Sequence, residues 1–207
     1  MTTSDQIVTG ETMLIKLDPK LGQLVRLQAP LNRVRPGSYF GNLVRSIVSQ
    51  QISVAASASI LGRIQDATAL DPARVYGLEL DELRALGLSR GKAGYIHDLA
   101  EHFTQQPTIF DHLDQLPDDQ VIAELTAVKG IGVWTAQMFL MFTLGRLDVF
   151  APDDVGLQRA IKQLYGLETV PPRAKLEQIA EKWRPYRTVA AWHLWASLDN
   201  TPVAASK

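Results

Sequence analysis

Helical signals recur along this chain, most clearly over Tyr39–Ile64 where apolar residues fall every three or four positions, and no segment alternates cleanly with β-branched residues. That rhythm limits the fold more than any other feature. A 3.6-residue period lays one apolar stripe along a helix, whereas a strand needs a period of two. Phe40, Leu43, Val44, Ile47, Val48, Ile52, Ala55, Ala56 and Ile60 show it most clearly. They predict one long helix over 39–64, or two joined at Gln50–Ser53 with Ser49 or Ser53 as a cap. Punctuation sets the other boundaries. Asp71-Pro72 opens a helix, since proline suits the first turn. Gly87 closes one over 79–86, and another covers 92–103. Pro117-Asp118-Asp119 opens a helix running to Ala127, and an apolar one starts at Val133. Asp153-Asp154 opens the next, which ends near Gly166. Pro171-Pro172 starts one through Trp183, and Pro185 separates it from a last helix over 186–198. The expectation is an all-α fold of roughly ten short helices.

The 207 residues suffice for one domain or two small lobes, and 46% hydrophobic content can fill a sizeable core. The polar connection 107–117 reads as the boundary between two helical lobes around a cleft. A helical domain is expected over 13–200, with frayed ends at 1–12 and 201–207. A net charge of -1 excludes coating nucleic acid through bulk charge, so any such binding must be local. The absence of cysteine excludes disulfides, thiolate zinc sites and cysteine-held iron–sulfur clusters. The histidines lack ligand spacing, and His97 and His193 read as surface or core residues rather than catalysts. The N-terminus lacks a signal-peptide layout. The apolar run Val133–Leu144 is about 12 residues, short of the roughly 20 that cross a bilayer. A soluble, monomeric protein of the cytoplasm or nucleoid is expected, without a membrane partner.

Between two helical patterns stands Leu125-Thr-Ala-Val-Lys-Gly-Ile-Gly-Val-Trp-Thr-Ala136. Gly130 and Gly132 permit positive φ and leave room for a close partner. The helix that follows presents unpaired N–H groups, which favour phosphate. Lys129, Gly130, Gly132 and Thr135 are therefore candidate phosphate contacts, of the kind that fix register without reading sequence. A plain turn between helices is the structural alternative. Leu83–Gly94 echoes the same layout weakly. Further along, Asp148-Val-Phe-Ala-Pro-Asp-Asp154 supplies two adjacent carboxylates. Such a group can stabilise a cation, or it can simply cap a helix.

Taken together, the hairpin and the acidic pair resemble the helix–hairpin–helix DNA glycosylase superfamily, in its 3-methyladenine DNA glycosylase II branch. Leu43-Val-Arg-Ser-Ile-Val-Ser-Gln-Gln-Ile-Ser-Val-Ala-Ala56 and Trp183-Arg-Pro-Tyr-Arg-Thr-Val-Ala-Ala-Trp-His-Leu-Trp195 are similar to that branch as well. The likeness extends over about 14–198, and the segments stand in the same order. It implies an enzyme that extrudes a damaged base from double-stranded DNA and hydrolyses its N-glycosidic bond. The second acid of the pair, Asp154, takes the position of the catalytic aspartate. Its charge would steady the electron-poor sugar as the base departs. Members that also cut the strand carry a lysine after the hairpin. Here that position is Trp134, which cannot form a Schiff base, so a monofunctional enzyme is implied.

The same resemblance assigns the remaining site. Gln51 occupies the position of the wedge that fills the vacated stack, where the relative often has leucine. Trp195 matches a pocket tryptophan, and Trp134, Phe40 and Met138 are further candidates for the pocket. Met138 stands where the family has a tyrosine. Trp183 and Trp192 read as core. An indole face would favour cationic lesions such as 3-methyladenine and 7-methylguanine by about 0.5–2 kcal/mol. No cofactor is implied beyond a structural monovalent cation held by the carbonyls of Thr126, Val128 and Ile131. Arg45, Arg90, Lys92 and Arg187 are additional phosphate candidates, with a solvated surface role as the alternative. Two other readings remain open at this stage. One is a glycosylase for uracil, mismatched or oxidised bases. The other is a non-catalytic hairpin module that binds damaged DNA.

Overall fold

The computed structural model describes residues 3–28 and 30–199. Among these described residues there are twelve α-helices and no strand. They are α1 (Thr3–Leu17), α2 (Pro19–Leu27), α3 (Tyr39–Ser49), α4 (Val54–Thr68), α5 (Pro72–Tyr76), α6 (Leu80–Ala85) and α7 (Arg90–Gln105). After a short 3-10 turn at Leu113–Gln115 come α8 (Asp118–Thr126), α9 (Val133–Phe142), α10 (Val155–Tyr165), α11 (Arg173–Glu181) and α12 (Arg187–Asp199). No helix among the described residues is long and apolar enough to cross a membrane.

The chain divides into two compact units, one of residues 35–144 and one formed by the segments before and after it. The connection 107–117, expected as a lobe boundary, lies inside the 35–144 unit. The connection is mostly exposed, and its own Phe110 and Leu113 are buried and anchor it. The expected fraying over 1–12 is also corrected: residues from Thr3 onward form α1, which buries Ile7, Gly10, Glu11 and Leu14 at helical spacing. The expected tail, 201–207, lies outside the described residues.

In the unit built from the two chain ends, α2 opens on Asp18-Pro19. The Asp18 side chain accepts from the backbone N–H groups of Lys20 and Leu21. The same carboxylate accepts from the Tyr165 hydroxyl, from Trp183 Nε1 at 2.9 Å and from Lys182 Nζ at 2.9 Å. Asp18 is only 2% exposed. Burial alone would raise its pKa, but the bonds from Tyr165, Trp183, Lys182 and Leu21 outweigh it and hold the group at about 2. Partial burial, and then the neighbouring Asp18 carboxylate, push the Tyr165 hydroxyl far above its usual range. On α12, the buried His193 ring meets Glu11 Oε1 at 3.0 Å and Gln28 Oε1 at 2.6 Å. These contacts tie α12 to the first two helices. Trp183 and Trp192 are fully buried, as their sequence setting suggests.

In the 35–144 unit, α3 packs against α4, α7 and α9. Its buried face comprises Phe40, Leu43, Val44, Ile47 and Val48, the apolar positions of the sequence pattern. Ser38 caps α3, and Ser53 caps α4 through the Ala56 N–H. The region 39–64 is thus two helices, with the break at Gln50–Ser53. Each side-chain cap is worth about 1 kcal/mol. The weak internal echo has a structural counterpart. Both α6–α7 and α8–α9 turn on a glycine with positive φ, +106° at Gly87 and +86° at Gly130.

Candidate functional site

The acidic pair sits where a loop enters α10, and that loop is fixed to the start of α12. Asp148 accepts from Arg187 Nε at 2.7 Å and Nη2 at 3.0 Å, and from Arg184 Nη1 at 2.7 Å. The Thr188 hydroxyl accepts from the Val149 N–H and donates to the Arg146 carbonyl. Forked guanidinium–carboxylate bonds of this kind are geometrically restrictive. They commit Arg187, a candidate phosphate contact, to holding the loop.

Asp154 is the N-cap of α10. Its Oδ1 accepts from the Leu157 N–H at 2.7 Å and from Trp195 Nε1 at 2.9 Å. A helix N-terminus favours an anion at this position. The half-buried Trp195 therefore does more than offer a ring: its N–H fixes the orientation of the carboxylate. Gly156 makes this pairing possible. A Cβ there would lie 3.0 Å from Asp154 Oδ1 and 3.1 Å from both Cδ1 and Nε1 of Trp195. Sequence reasoning missed this glycine, although its place two residues after the acid was a signal. Asp153 points elsewhere, exposed and paired with Arg173 at 2.7 Å. Helix capping and an ion pair separate two neighbouring aspartates into different tasks.

In the 35–144 unit, the hairpin buries Leu125, Val128 and Ile131 and exposes Lys129 and Gly132. The internal echo shows what is distinctive here. At the start of α7, the Ser89 side chain accepts from the Lys92 N–H. At the start of α9, the corresponding residue is Gly132, which offers no side-chain cap and has nothing within 4 Å of its Cβ position. A first turn without a side-chain acceptor, open at its capping residue, suits an incoming anion. Gly130 cannot be replaced cheaply. Its φ is +86°, and a Cβ would lie 2.3 Å from Tyr95 Cγ.

Other predicted residues are distributed differently. Thr135 is 2% exposed, and its hydroxyl accepts from Gln50 Nε2 at 3.1 Å. Its side chain is thus turned inward rather than toward a phosphate. Phe40 is 1% exposed and stacks edge-on against Phe103, and Met138 is 6% exposed. Both serve the core of their unit and offer little surface to a base. Trp134 is half-buried on α9. Gln51 is exposed, with the unusual φ of +57° for a residue other than glycine. Lys92, a phosphate candidate, turns inward to two backbone carbonyls. Arg45 and Arg90 are exposed.

Residues 44–185 match the HhH-GPD superfamily of base excision DNA repair proteins. The chain belongs to this superfamily. The match spans the Gln50-Gln51 turn, the hairpin and the acidic pair. The chain is 28% identical to the alkylbase DNA glycosidase-like protein mag2 of Schizosaccharomyces pombe, over 94% of its own length and 95% of the relative's. Among solved structures it is similar to the S. pombe 3-methyladenine DNA glycosylase Mag1 in complex with abasic DNA. That likeness has a TM-score of 0.82 at 27% identity and covers 96% of this chain and 100% of Mag1. A DNA-3-methyladenine glycosidase from Bacillus halodurans is 37% identical with a TM-score of 0.75, covering 92% of this chain and 88% of that one. The all-α fold expected from the sequence is the fold of these proteins.

Proposed function

We propose that this protein is a monofunctional DNA glycosylase that releases alkylated purines, 3-methyladenine and 7-methylguanine among them, in base excision repair. The observation that carries the reading is the Asp154 carboxylate, capped into α10 and oriented by the Trp195 N–H. In the reaction the C1′–N bond breaks and its electron pair leaves with the base. Positive charge grows on C1′ and the ring oxygen, and a water oxygen then bonds to C1′. An anion fixed in advance lowers that barrier without reorganising. A purine already cationic from alkylation leaves as a neutral base. One carboxylate is therefore enough, with no general acid required for the leaving group.

The hairpin supplies the grip. The Lys129 ammonium and the N–H groups at the start of α9 bind the phosphate chain, and Gln51 fills the gap left by the extruded nucleotide. The carbonyls of Thr126, Val128 and Ile131 are neutral oxygens suited to a monovalent cation. The Val128 carbonyl accepts the Ile131 N–H at 3.1 Å and retains a second lone pair for such an ion. A bound cation would add positive charge beside the phosphate grip.

Incubation with methylated duplex DNA, followed by identification of the released bases, tests the substrate. Release of methylated purines is expected. Release confined to uracil or oxidised bases would overturn the substrate assignment, and binding without release would overturn the catalytic one. Borohydride added during turnover should trap no enzyme–DNA adduct, because Trp134 stands where a Schiff-base lysine would. Gly156→Ala separates stability from catalysis. Alanine in a helix gains up to about 1 kcal/mol over glycine. Its methyl group would nevertheless push the indole off the carboxylate, and base release should fall about tenfold or more. A variant that melts higher and cuts as fast as the wild type would remove Trp195 from its positioning role.

A further inference from the structure

One face of α7 touches both of the elements assigned to DNA. Lys92 lies in its first turn, and its ammonium donates to the carbonyls of Val48 at 2.8 Å and Gln50 at 2.6 Å. These carbonyls end α3 and begin the turn that carries Gln51. Tyr95 lies three residues further along the same face. Its ring lies against Gly130, closely enough to exclude any side chain there. A third link closes the triangle directly: the Gln50 side chain donates to Thr135 Oγ1 at 3.1 Å and to the Gly130 carbonyl at 3.4 Å.

We propose that Lys92 is a positioning residue that, together with Gln50 and Tyr95, joins the Gln51 turn and the phosphate hairpin into one rigid part. The proposal rests on the functional reading above. It assigns to Lys92 a role different from the phosphate contact suggested by the sequence.

Energetics favour a brace. The end of α3 presents carbonyls without helical partners at the negative end of its dipole. Gln51, just past the C-cap Gln50, holds a left-handed backbone, which is strained for a residue other than glycine and persists only where its surroundings enforce it. Ordering a lysine side chain costs rotamer entropy. Two charge-assisted bonds to backbone carbonyls offset that cost. Burial lowers the Lys92 pKa, the mark of an ammonium withdrawn from water rather than extended into it. A wedge enters a base stack only if its base does not yield. Tying that base to the hairpin lets the energy of phosphate binding drive insertion.

The test compares Lys92→Met with the wild type. Faster hydrogen exchange at the amides of residues 49–53 is expected without any DNA. Binding to intact duplex, and its dependence on salt, should not change. Affinity for abasic-site duplex and the single-turnover rate of base release should each fall about tenfold. A direct phosphate ligand would instead weaken intact-duplex binding and lower the salt slope by about one. That result, or unchanged exchange at 49–53, overturns the proposal. The chain has no cysteine, so Lys92→Cys creates a single thiol that aminoethylation converts to an amine of lysine's reach. Rescue of exchange protection and of abasic-site binding is expected, and failure of rescue in a folded protein counts against the brace. Gln50→Met, which keeps its neighbour's backbone but cuts the tie to Thr135, should produce the same selective loss. The functional reading is judged separately: it fails if the wild type releases no base, whatever the exchange data show.

Discussion

Replacing Asp154 by Asn is expected to slow base release by on the order of a thousandfold, the scale of losing one preorganised electrostatic group. Asparagine keeps the Oδ1 that accepts from Leu157 and Trp195, so the cap and the side-chain orientation survive. Only the charge is removed. Affinity for abasic-site duplex should stay within a few-fold of the wild type, which separates catalysis from recognition. Single-turnover release of methylated purines under saturating enzyme is the measurement. If release continued at the wild-type rate, Asp154 would be no more than a helix cap.

Asp18→Ala is expected to destabilise the fold by about 3–5 kcal/mol, the range for removing one partner from a buried charged network. Tyr165, Trp183 and Lys182 would all lose the same acceptor. For a chain of this size the melting temperature should drop by on the order of 10 °C. The pH dependence follows from the depressed pKa. Asp18 binds a proton more weakly in the folded state than in the unfolded chain, about 2 against 3.8. Its contribution, roughly 2.5 kcal/mol, is fully present above the unfolded value and disappears as pH falls through about 2. The stability gap between wild type and Asp18→Ala should therefore narrow by roughly 2.5 kcal/mol as pH falls from about 4 through about 2. Parallel curves through that window would show that the carboxylate's charge contributes nothing.

The helices from α3 through α12 were legible in the chain, α3 and α4 from their apolar periodicity and most of the rest from the Pro, Gly and Asp residues that bound them. Those of the first segment were not. On α1, two of the four buried positions are Gly10 and Glu11, neither of them apolar. Gly10 is there because the Tyr186 ring leaves no room for a Cβ, and Glu11 because its carboxylate meets His193 and the Leu31 N–H. Both reasons come from residues distant in sequence, so no local pattern carries them. The start of α2 is the exception in that segment: Asp18-Pro19 repeats the Asp71-Pro72 signature, although sequence reasoning missed it. The unit boundaries were hidden for a similar reason. One unit closes through contacts of α12 with α1 and α2, which composition does not record.

At the site, residue type and spacing drew attention to the acidic pair and the hairpin, and the resemblance added Gln51. They did not reveal where long side chains end. Lys92 and Arg187 have the composition of surface cations, but the structure spends both on backbone and carboxylate oxygens. Thr135, Phe40 and Met138 fall at positions that the resemblance points to, yet each is turned into the core. Sequence separates helical faces only approximately, and a small rotation of α9 or α3 decides between groove and interior.

The interrupted unit has a consequence for synthesis. The contacts of residues 35–144 lie within one continuous stretch of chain, whereas α1 and α2 complete their unit only with segments after residue 144, so the latter unit cannot be assembled until the chain's last helices have been synthesised. A product truncated near residue 144 would therefore keep the Gln51 turn and the hairpin but lack Asp154.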